Sequence, residues 1–140
     1  TKGCTVVSNR NTANAYYMNY DLAISSSTGL PSSTHVGVGP TIETNIGTTD
    51  LRGKGWNHLA ATYDGTNKRL YVNGVLESTE PAIDPDTTNA HTLRIGESSF
   101  NIDDSNCQGS IDDVRVYMRA LDADEVNYIG LCPGAIRYNG

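Results

Sequence analysis

Hydrophobic and polar residues alternate through the middle of the chain, and each alternating run ends at a turn. The runs at residues 56–63 and 70–72 are closed by the dipeptides Asp64-Gly65 and Asn73-Gly74. Asp-Gly and Asn-Gly supply the positive φ angles that tight hairpin turns need. Residues 56–78 are therefore predicted to form an antiparallel meander, with 75–78 as its return strand.

Similar short runs recur along the rest of the chain, separated by segments rich in Gly, Ser, Thr and Pro. They predict further strands at residues 5–8, 15–24, 35–38, 41–46, 92–96 and 110–117. Turns that recur about every 8 to 12 residues in a β-dominated chain indicate a sandwich of two antiparallel sheets. The predicted fold is therefore all-β.

One helix is predicted near the C-terminus. Asp122 and Glu125 have the spacing of a capping box, in which the N-cap side chain and the residue three positions later bond each other's backbone. The pattern directs Val126 and Ile129 toward the core and ends the helix at Gly130.

Size, composition and charge fit a single domain over residues 1–140 and exclude several partners. Net charge is −6 with only ten Lys and Arg, so the chain lacks a basic footprint for nucleic acid or anionic lipid. No stretch approaches the roughly 20 apolar residues of a membrane span. The sequence from Thr1 lacks the pattern of a signal peptide, and we expect a mature or trimmed product.

The three cysteines, Cys4, Cys107 and Cys132, form neither a Cys-x-x-Cys motif nor a Cys/His cluster. This argues against zinc and favours a structural disulfide, with the third thiol free or bonded to another chain. Turn-rich acidic composition together with cysteines indicates an extracellular or bacterial cell-surface location.

Six motifs occur in a characteristic order, and together they resemble the laminin-G-like, concanavalin A-like jelly-roll domain of bacterial surface or secreted proteins. The resemblance covers roughly residues 5–130. The motifs are Trp56-Asn-His-Leu-Ala, Tyr63-Asp-Gly, Leu70-Tyr-Val-Asn-Gly, Leu93-Arg-Ile-Gly, Gly109-Ser-Ile-Asp-Asp-Val-Arg-Val-Tyr117 and Arg119-Ala-Leu-Asp-Ala-Asp-Glu-Val126.

The resemblance implies two curved sheets, with a concave face or a loop rim open to ligands. Relatives serve as carbohydrate-binding or adhesion modules, as appendages of secreted enzymes and as globular heads of pilin-like proteins. It also implies a disulfide between Cys107 and Cys132, whose positions resemble the C-terminal disulfide of laminin G domains.

The chain departs from the family pattern at its start, where one or two additional strands normally precede the position of Thr5. Either the fragment is trimmed, or another chain supplies those strands, or the tail at 133–140 replaces them. A missing strand would leave an open sheet edge that invites a strand-donating or filament partner. Cys4, beside this edge, could anchor such a partner.

Calcium is the predicted cofactor, in a structural role. Several jelly-roll relatives hold calcium with an aspartate at the start of the last strand, which points to Asp113, with Asp112 beside it. The alternative is that both carboxylates bond neighbouring backbone or face water. Acidic loop residues Asp84, Asp86, Asp103 and Asp104 are read as solvated turns.

Catalysis is not expected. Retaining glycosidases need two carboxyl groups about 5 Å apart, and the chain has no Glu-x-Asp-x-Glu run to supply them. None of the three histidines, His35, His58 and His91, accompanies a Gly-x-Ser-x-Gly elbow. Trp56 is expected in the core, and no tyrosine cluster defines a sugar site.

The sequence therefore predicts a non-catalytic extracellular binding or adhesion module, with glycans or a surface protein as ligand. The alternative is a structural subunit, the globular head of a pilin-like or other extracellular filament.

Overall fold

The computed structural model describes residues 3–10, 18–37, 41–82, 92–97 and 106–131. Within them lie eight strands and one helix. They are β1 (Cys4–Arg10), β2 (Met18–Ile24), β3 (Pro31–Val36), β4 (Ile42–Ile46), β5 (Leu59–Tyr63), β6 (Asn67–Val72), β7 (Val75–Pro81), β8 (Leu93–Ile95) and α1 (Ala123–Leu131). No described helix is long and apolar enough to cross a bilayer.

The strands form two antiparallel sheets, which confirms the predicted all-β architecture. One sheet has the order β4-β3-β2-β1-β8 and the other β5-β6-β7. The sheets face each other through β4, which contacts both β6 and β7. Leu70 and Val36 are among the fully buried side chains of the interior.

The meander forms because its turns have the residues that their backbone needs. Asn73 and Gly74 have φ angles of 50° and 80°, and they join the paired residues Val72 and Val75 in a two-residue hairpin. In the β5–β6 turn, Asp64 Oδ1 accepts hydrogen bonds from the backbone N–H groups of Thr66 and Asn67 at 2.9 and 2.8 Å.

The capping box of α1 is present as predicted. Asp122 Oδ1 accepts a bond of 2.8 Å from the Glu125 N–H, and Glu125 Oε2 accepts one of 3.0 Å from the Asp122 N–H. Val126 is fully buried. The helix continues through Gly130 to Leu131, so the predicted end at Gly130 is one residue early.

α1 packs closely on the β6–β7 turn. A Cβ atom on Gly74 would lie 2.8 Å from Cα of Asn127, and one on Gly130 would lie 2.7 Å from the Gly74 nitrogen. Because real Cβ contacts are longer, both positions need glycine for helix and turn to approach this far.

The predicted disulfide is wrong, because Cys107 bonds Cys4 and not Cys132. The reason lies in the strand order: β8 pairs with β1, and Gly96, which follows β8, accepts a bond of 2.9 Å from the Cys107 N–H. Cys107 thus arrives beside the first residue of β1, with the two Cα atoms 3.9 Å apart. Cys132 lies outside the described residues.

The same topology overturns the predicted N-terminal edge. β1 lies between β2 and β8, so it is an inner strand of its sheet. Cys4 is bonded within the chain and cannot anchor a partner. The bridge closes a loop with a sequence separation of 103, which corresponds to about 5 kcal/mol of loop-closure entropy in the unfolded state. The tail at 133–140 lies outside the described residues.

The strand predicted at 110–117 is absent, and these residues run without regular secondary structure. Asp113 interrupts the run with a φ of 52°, a left-handed conformation that a continuous strand cannot contain. Val116 is 60% exposed as a result.

Candidate binding surface

Trp56 projects into solvent with 70% of its surface exposed, contrary to its predicted place in the core. β5 begins three residues later, at Leu59. Before it, Gly53 and Gly55 both have a φ of 70°, so the chain turns twice and does not extend β5 back to Trp56. The single tryptophan of the chain is therefore a surface residue at the entrance to the three-stranded sheet.

Two asparagine side chains fix the backbone next to Trp56. Asn73 Nδ2 donates to Asn57 Oδ1 at 3.1 Å, and Asn73 Oδ1 accepts from the His58 N–H at 2.8 Å. Asn57 Nδ2 in turn donates to the Gly55 carbonyl at 3.1 Å. The β6–β7 turn thus holds residues 55–58 in place.

His58 connects this network to the C-terminal third of the chain. Its Nδ1 is buried without a hydrogen-bond partner in the described residues, and it lies beside Gly130 of α1. Burial lowers the pKa of His58, and the Arg115 cation lowers it further, while Asp113 acts in the opposite direction. The imidazole is therefore neutral at neutral pH.

Asp113 and Arg115 form a two-point ion pair within electrostatic range of His58. Arg115 Nε and Nη2 donate to the two carboxylate oxygens of Asp113 at 2.8 and 2.7 Å. This pairing, followed by a hydrogen bond to Tyr117, raises the pKa of Arg115. Both members of the pair remain more than 40% exposed.

We call these seven residues the Trp56 surface. It consists of Trp56, Asn57, His58, Asn73, Asp113, Arg115 and Tyr117. It combines an exposed indole ring with amide, carboxylate and guanidinium groups whose positions are fixed by mutual hydrogen bonds. Such groups can stack on and hydrogen-bond to a polar ligand without first being ordered.

The two aspartates predicted to bind calcium do not fit a calcium ion as they are arranged. The Asp113 carboxylate is held by Arg115, and Asp112 Oδ1 accepts a bond of 2.8 Å from the Asp113 N–H. Calcium takes six to eight oxygen ligands. The described residues contain no group of three or more His, Cys, Asp or Glu side chains that could hold a metal ion. Calcium at Asp112 and Asp113 stays an untested prediction.

Other predicted positions divide between the interior and the undescribed part of the chain. Asp84, Asp86, Asp103, Asp104 and His91 lie outside the described residues. His35 is in β3, facing the second sheet, with its ring centroid 5.8 Å from that of Tyr63 in β5.

A buried polar cluster around Lys68 was not predicted from the sequence. Lys68 in β6 has a side chain only 1% exposed, with its Nζ 2.9 Å from the Glu43 carbonyl oxygen and 3.7 Å from Glu43 Oε2. Asn45 Nδ2 donates to the Lys68 carbonyl at 3.0 Å. We call Ser33, His35, Glu43, Asn45 and Lys68 the Lys68 cluster. The sequence feature that could have indicated this cluster is Lys68 itself, which occupies the same face of β6 as the apolar residues Leu70 and Val72.

The family model of the laminin G type, described as the concanavalin A-like lectin/glucanases superfamily, matches residues 1–127. The chain therefore belongs to this family. No curated protein matches it significantly.

Two solved structures are similar to the chain. One is an S-layer domain-containing protein (residues 221–444) from Clostridium thermocellum, with 23% identity, a TM-score of 0.49 and coverage of 93% of this chain and 64% of that one. The other is the receptor binding domain of botulinum neurotoxin type G, with 17% identity, a TM-score of 0.59 and coverage of 93% of this chain and 32% of that one. The chain spans less than two thirds of either, and the likeness to the toxin domain shows the shared fold.

Proposed function

We propose that this protein is a non-catalytic extracellular binding module that recognises glycans through the Trp56 surface. The observation that carries the proposal is the exposure of Trp56 beside a hydrogen-bonded pair of asparagine side chains. A flat indole can stack on the apolar face of a sugar ring, while amide and charged groups bond its hydroxyls.

Two further observations support the location and the class. A disulfide forms and persists in oxidising compartments, so the Cys4–Cys107 bond favours a secreted or surface-displayed protein. The family description includes lectins as well as glucanases. Within the described residues, the Trp56 surface has one carboxylate, Asp113, and it is held in an ion pair. A catalytic acid pair on this surface is not supported.

The filament alternative loses two of the features that supported it. Its open N-terminal edge is covered by β8, and Cys4 is not available to a partner. We therefore favour the binding module.

A glycan array comparing the natural protein with Trp56→Ala tests the proposal. We expect binding to a defined set of glycans and a loss of about tenfold or more in affinity in the variant, equivalent to about 1.4 kcal/mol. Tyr128→Ala is the matched control, because Tyr128 is 71% exposed on α1. It lies two residues from Gly130 and so on the opposite side of the helix from the packed turn.

Binding to no glycan would contradict the function, and full binding by Trp56→Ala would contradict the site. Repeating the array with a chelator tests the calcium prediction separately: a loss of binding that added calcium restores would support it, and unchanged binding would count against it.

A further inference from the structure

The segment that carries Trp56 is attached to other parts of the molecule before it reaches the indole. It consists of residues 47–58, which connect β4 to β5, and we call it the β4–β5 loop. At its start, the Gly47 N–H donates to the Pro31 carbonyl at 2.8 Å. At its end, the asparagine network of the Trp56 surface holds the backbone. Contacts made along this loop therefore decide where the indole ring lies.

Glu77 on β7 binds the first part of the β4–β5 loop. Its Oε2 accepts hydrogen bonds from the backbone N–H groups of Thr48 and Thr49 at 2.7 and 3.2 Å, and its Oε1 accepts one from the Thr49 hydroxyl. Burial acts to raise the pKa of Glu77, but the bonds from Thr49 and Thr48 outweigh it and lower the pKa. The carboxylate is therefore charged at neutral pH, and charge-assisted bonds are stronger than neutral ones.

A β-bulge places Glu77 for this contact. Two consecutive residues of β6, Leu70 and Tyr71, pair with Ser78 and Leu76 of β7, respectively. Glu77 is the extra residue between them, so it departs from the regular alternation of the strand. Bulges of this kind re-aim a side chain. The carboxylate is thus directed to the loop by a specific irregularity of the backbone.

The middle of the loop is attached to the turn between β2 and β3. The Leu51 N–H donates to the Gly29 carbonyl at 3.0 Å, and the Leu51 side chain is only 7% exposed. Arg52 Nη1 donates to the Ser27 carbonyl at 3.1 Å. The Lys54 N–H then donates back to the Leu51 carbonyl at 3.3 Å. Hydrogen bonds thus follow the loop from its first residue to the turn directly before the tryptophan.

We propose that Glu77 is a positioning residue for Trp56: it fixes the β4–β5 loop on β7 and thereby holds the indole ring in the place where a ligand contacts it. The indole is 70% exposed, so few side-chain contacts can hold it, and the backbone of the loop supplies its order. A contact residue that is ordered before binding lowers the entropic cost of binding. The inference rests on the proposed function for its ligand, whereas the order of the indole is a property of the free protein.

Time-resolved fluorescence anisotropy of the free protein measures that order, because Trp56 is the single tryptophan of the chain. We expect Glu77→Ala to give the indole a larger amplitude of fast local motion than in the natural protein. Glu77→Gln keeps the size of the side chain and one acceptor oxygen, so it should give a smaller increase. Thr49→Ala removes the hydroxyl donor alone, should also give a smaller increase, and serves as the test if Glu77→Ala does not fold.

Two control variants separate positioning from stability. Glu80→Ala removes another acidic side chain of β7, an exposed one, and should leave the indole motion unchanged. Asn45→Ala should lower the free energy of unfolding without changing the indole motion, since the bond that it removes is to the Lys68 carbonyl in β6. Unchanged motion in Glu77→Ala, or an equal increase in Asn45→Ala, would overturn the proposal.

Binding provides the second readout. For a glycan identified on the array, we expect Glu77→Ala to lose about threefold to tenfold in affinity, or about 0.6–1.4 kcal/mol, and Glu77→Gln to lose less. Weaker binding with natural indole motion, or natural affinity despite increased motion, would overturn the positioning role and leave the glycan proposal standing. If no glycan binds, the proposed function fails, and the anisotropy comparison alone decides the role of Glu77.

Discussion

The Lys68 cluster and the Trp56 surface each place a side chain against the usual preference of its residue type for the interior or for solvent. A lysine side chain is 1% exposed between the sheets, while the single tryptophan is 70% exposed at the entrance to β5. Residue type alone would place them the other way round. The comparison teaches that strand register and the start of a strand decide which side chains are enclosed.

The two regions also differ in how their polar groups are satisfied. On the Trp56 surface, Asn57 and Asn73 bond each other and the backbone around them. In the Lys68 cluster, Ser33 Oγ, His35 Nδ1 and Asn45 Oδ1 are buried without partners in the described residues. Changes in the interior should therefore affect stability, and changes at the surface should affect binding.

The largest expected effect is acid destabilisation through His35. Burial, followed by the nearby Lys68 cation, lowers the pKa of His35 from 6.5 to about 4, while Glu43 opposes the shift. Since the folded state binds the proton more weakly than the unfolded state, stability is full above pH 6.5 and falls as the pH drops toward 4. The loss is of the order of 3 kcal/mol at most.

Urea denaturation of the natural protein and His35→Gln at pH 7.5 and 4.5 measures this effect. We expect a shallower pH dependence in the variant, with a residual slope from His58, whose pKa is also lowered by burial. Equal slopes in the two proteins would contradict the placement of His35.

A smaller effect on stability should distinguish the substitution of Asn45 from that of Asn57. Asn45→Ala removes the donor to the buried Lys68 carbonyl, so we expect a loss of about 1–3 kcal/mol in the free energy of unfolding. Asn57→Ala, on the Trp56 surface, should change it by no more than about 0.5 kcal/mol. Chemical denaturation at pH 7.5 compares them, and equal losses would remove the distinction between the regions.

The smallest effect on stability should come from Trp56→Ala. Truncation of a buried tryptophan costs about 3–5 kcal/mol, whereas an exposed one should cost about 0.5 kcal/mol or less. The thermal midpoint of the variant checks this expectation, and indole fluorescence of the natural protein should show the emission of a solvated ring. A blue-shifted emission together with a large loss of stability would show that Trp56 is buried in the core and would contradict its exposed position.

Features that depend on neighbouring residues could be predicted from the sequence. Asp64-Gly65 and Asn73-Gly74 specify their turns through φ angles, and Asp122 with Glu125 specifies the start of α1. These are local choices, and the family motifs add the architecture of two antiparallel sheets. The general architecture therefore followed from the pattern of residues.

Features that depend on contacts between residues far apart in the chain could not be predicted from the sequence. Cys107 reaches Cys4 because β8 pairs with β1, and no spacing rule encodes that pairing. Asp113 has a left-handed backbone conformation that the β-like pattern conceals, and the strand expected at 110–117 is absent. The candidate site was missed for the same reason, since His58, two residues after Trp56, lies within electrostatic range of Arg115, which is far from it in the chain.

The Cys4–Cys107 bond also has a mechanical consequence. It joins positions 103 residues apart, and every described strand begins at or between them. A pulling force applied at the two ends of the chain is carried through the two sulfur atoms and bypasses the sheets. The bridge can therefore bear tension while the strands that it encloses remain paired.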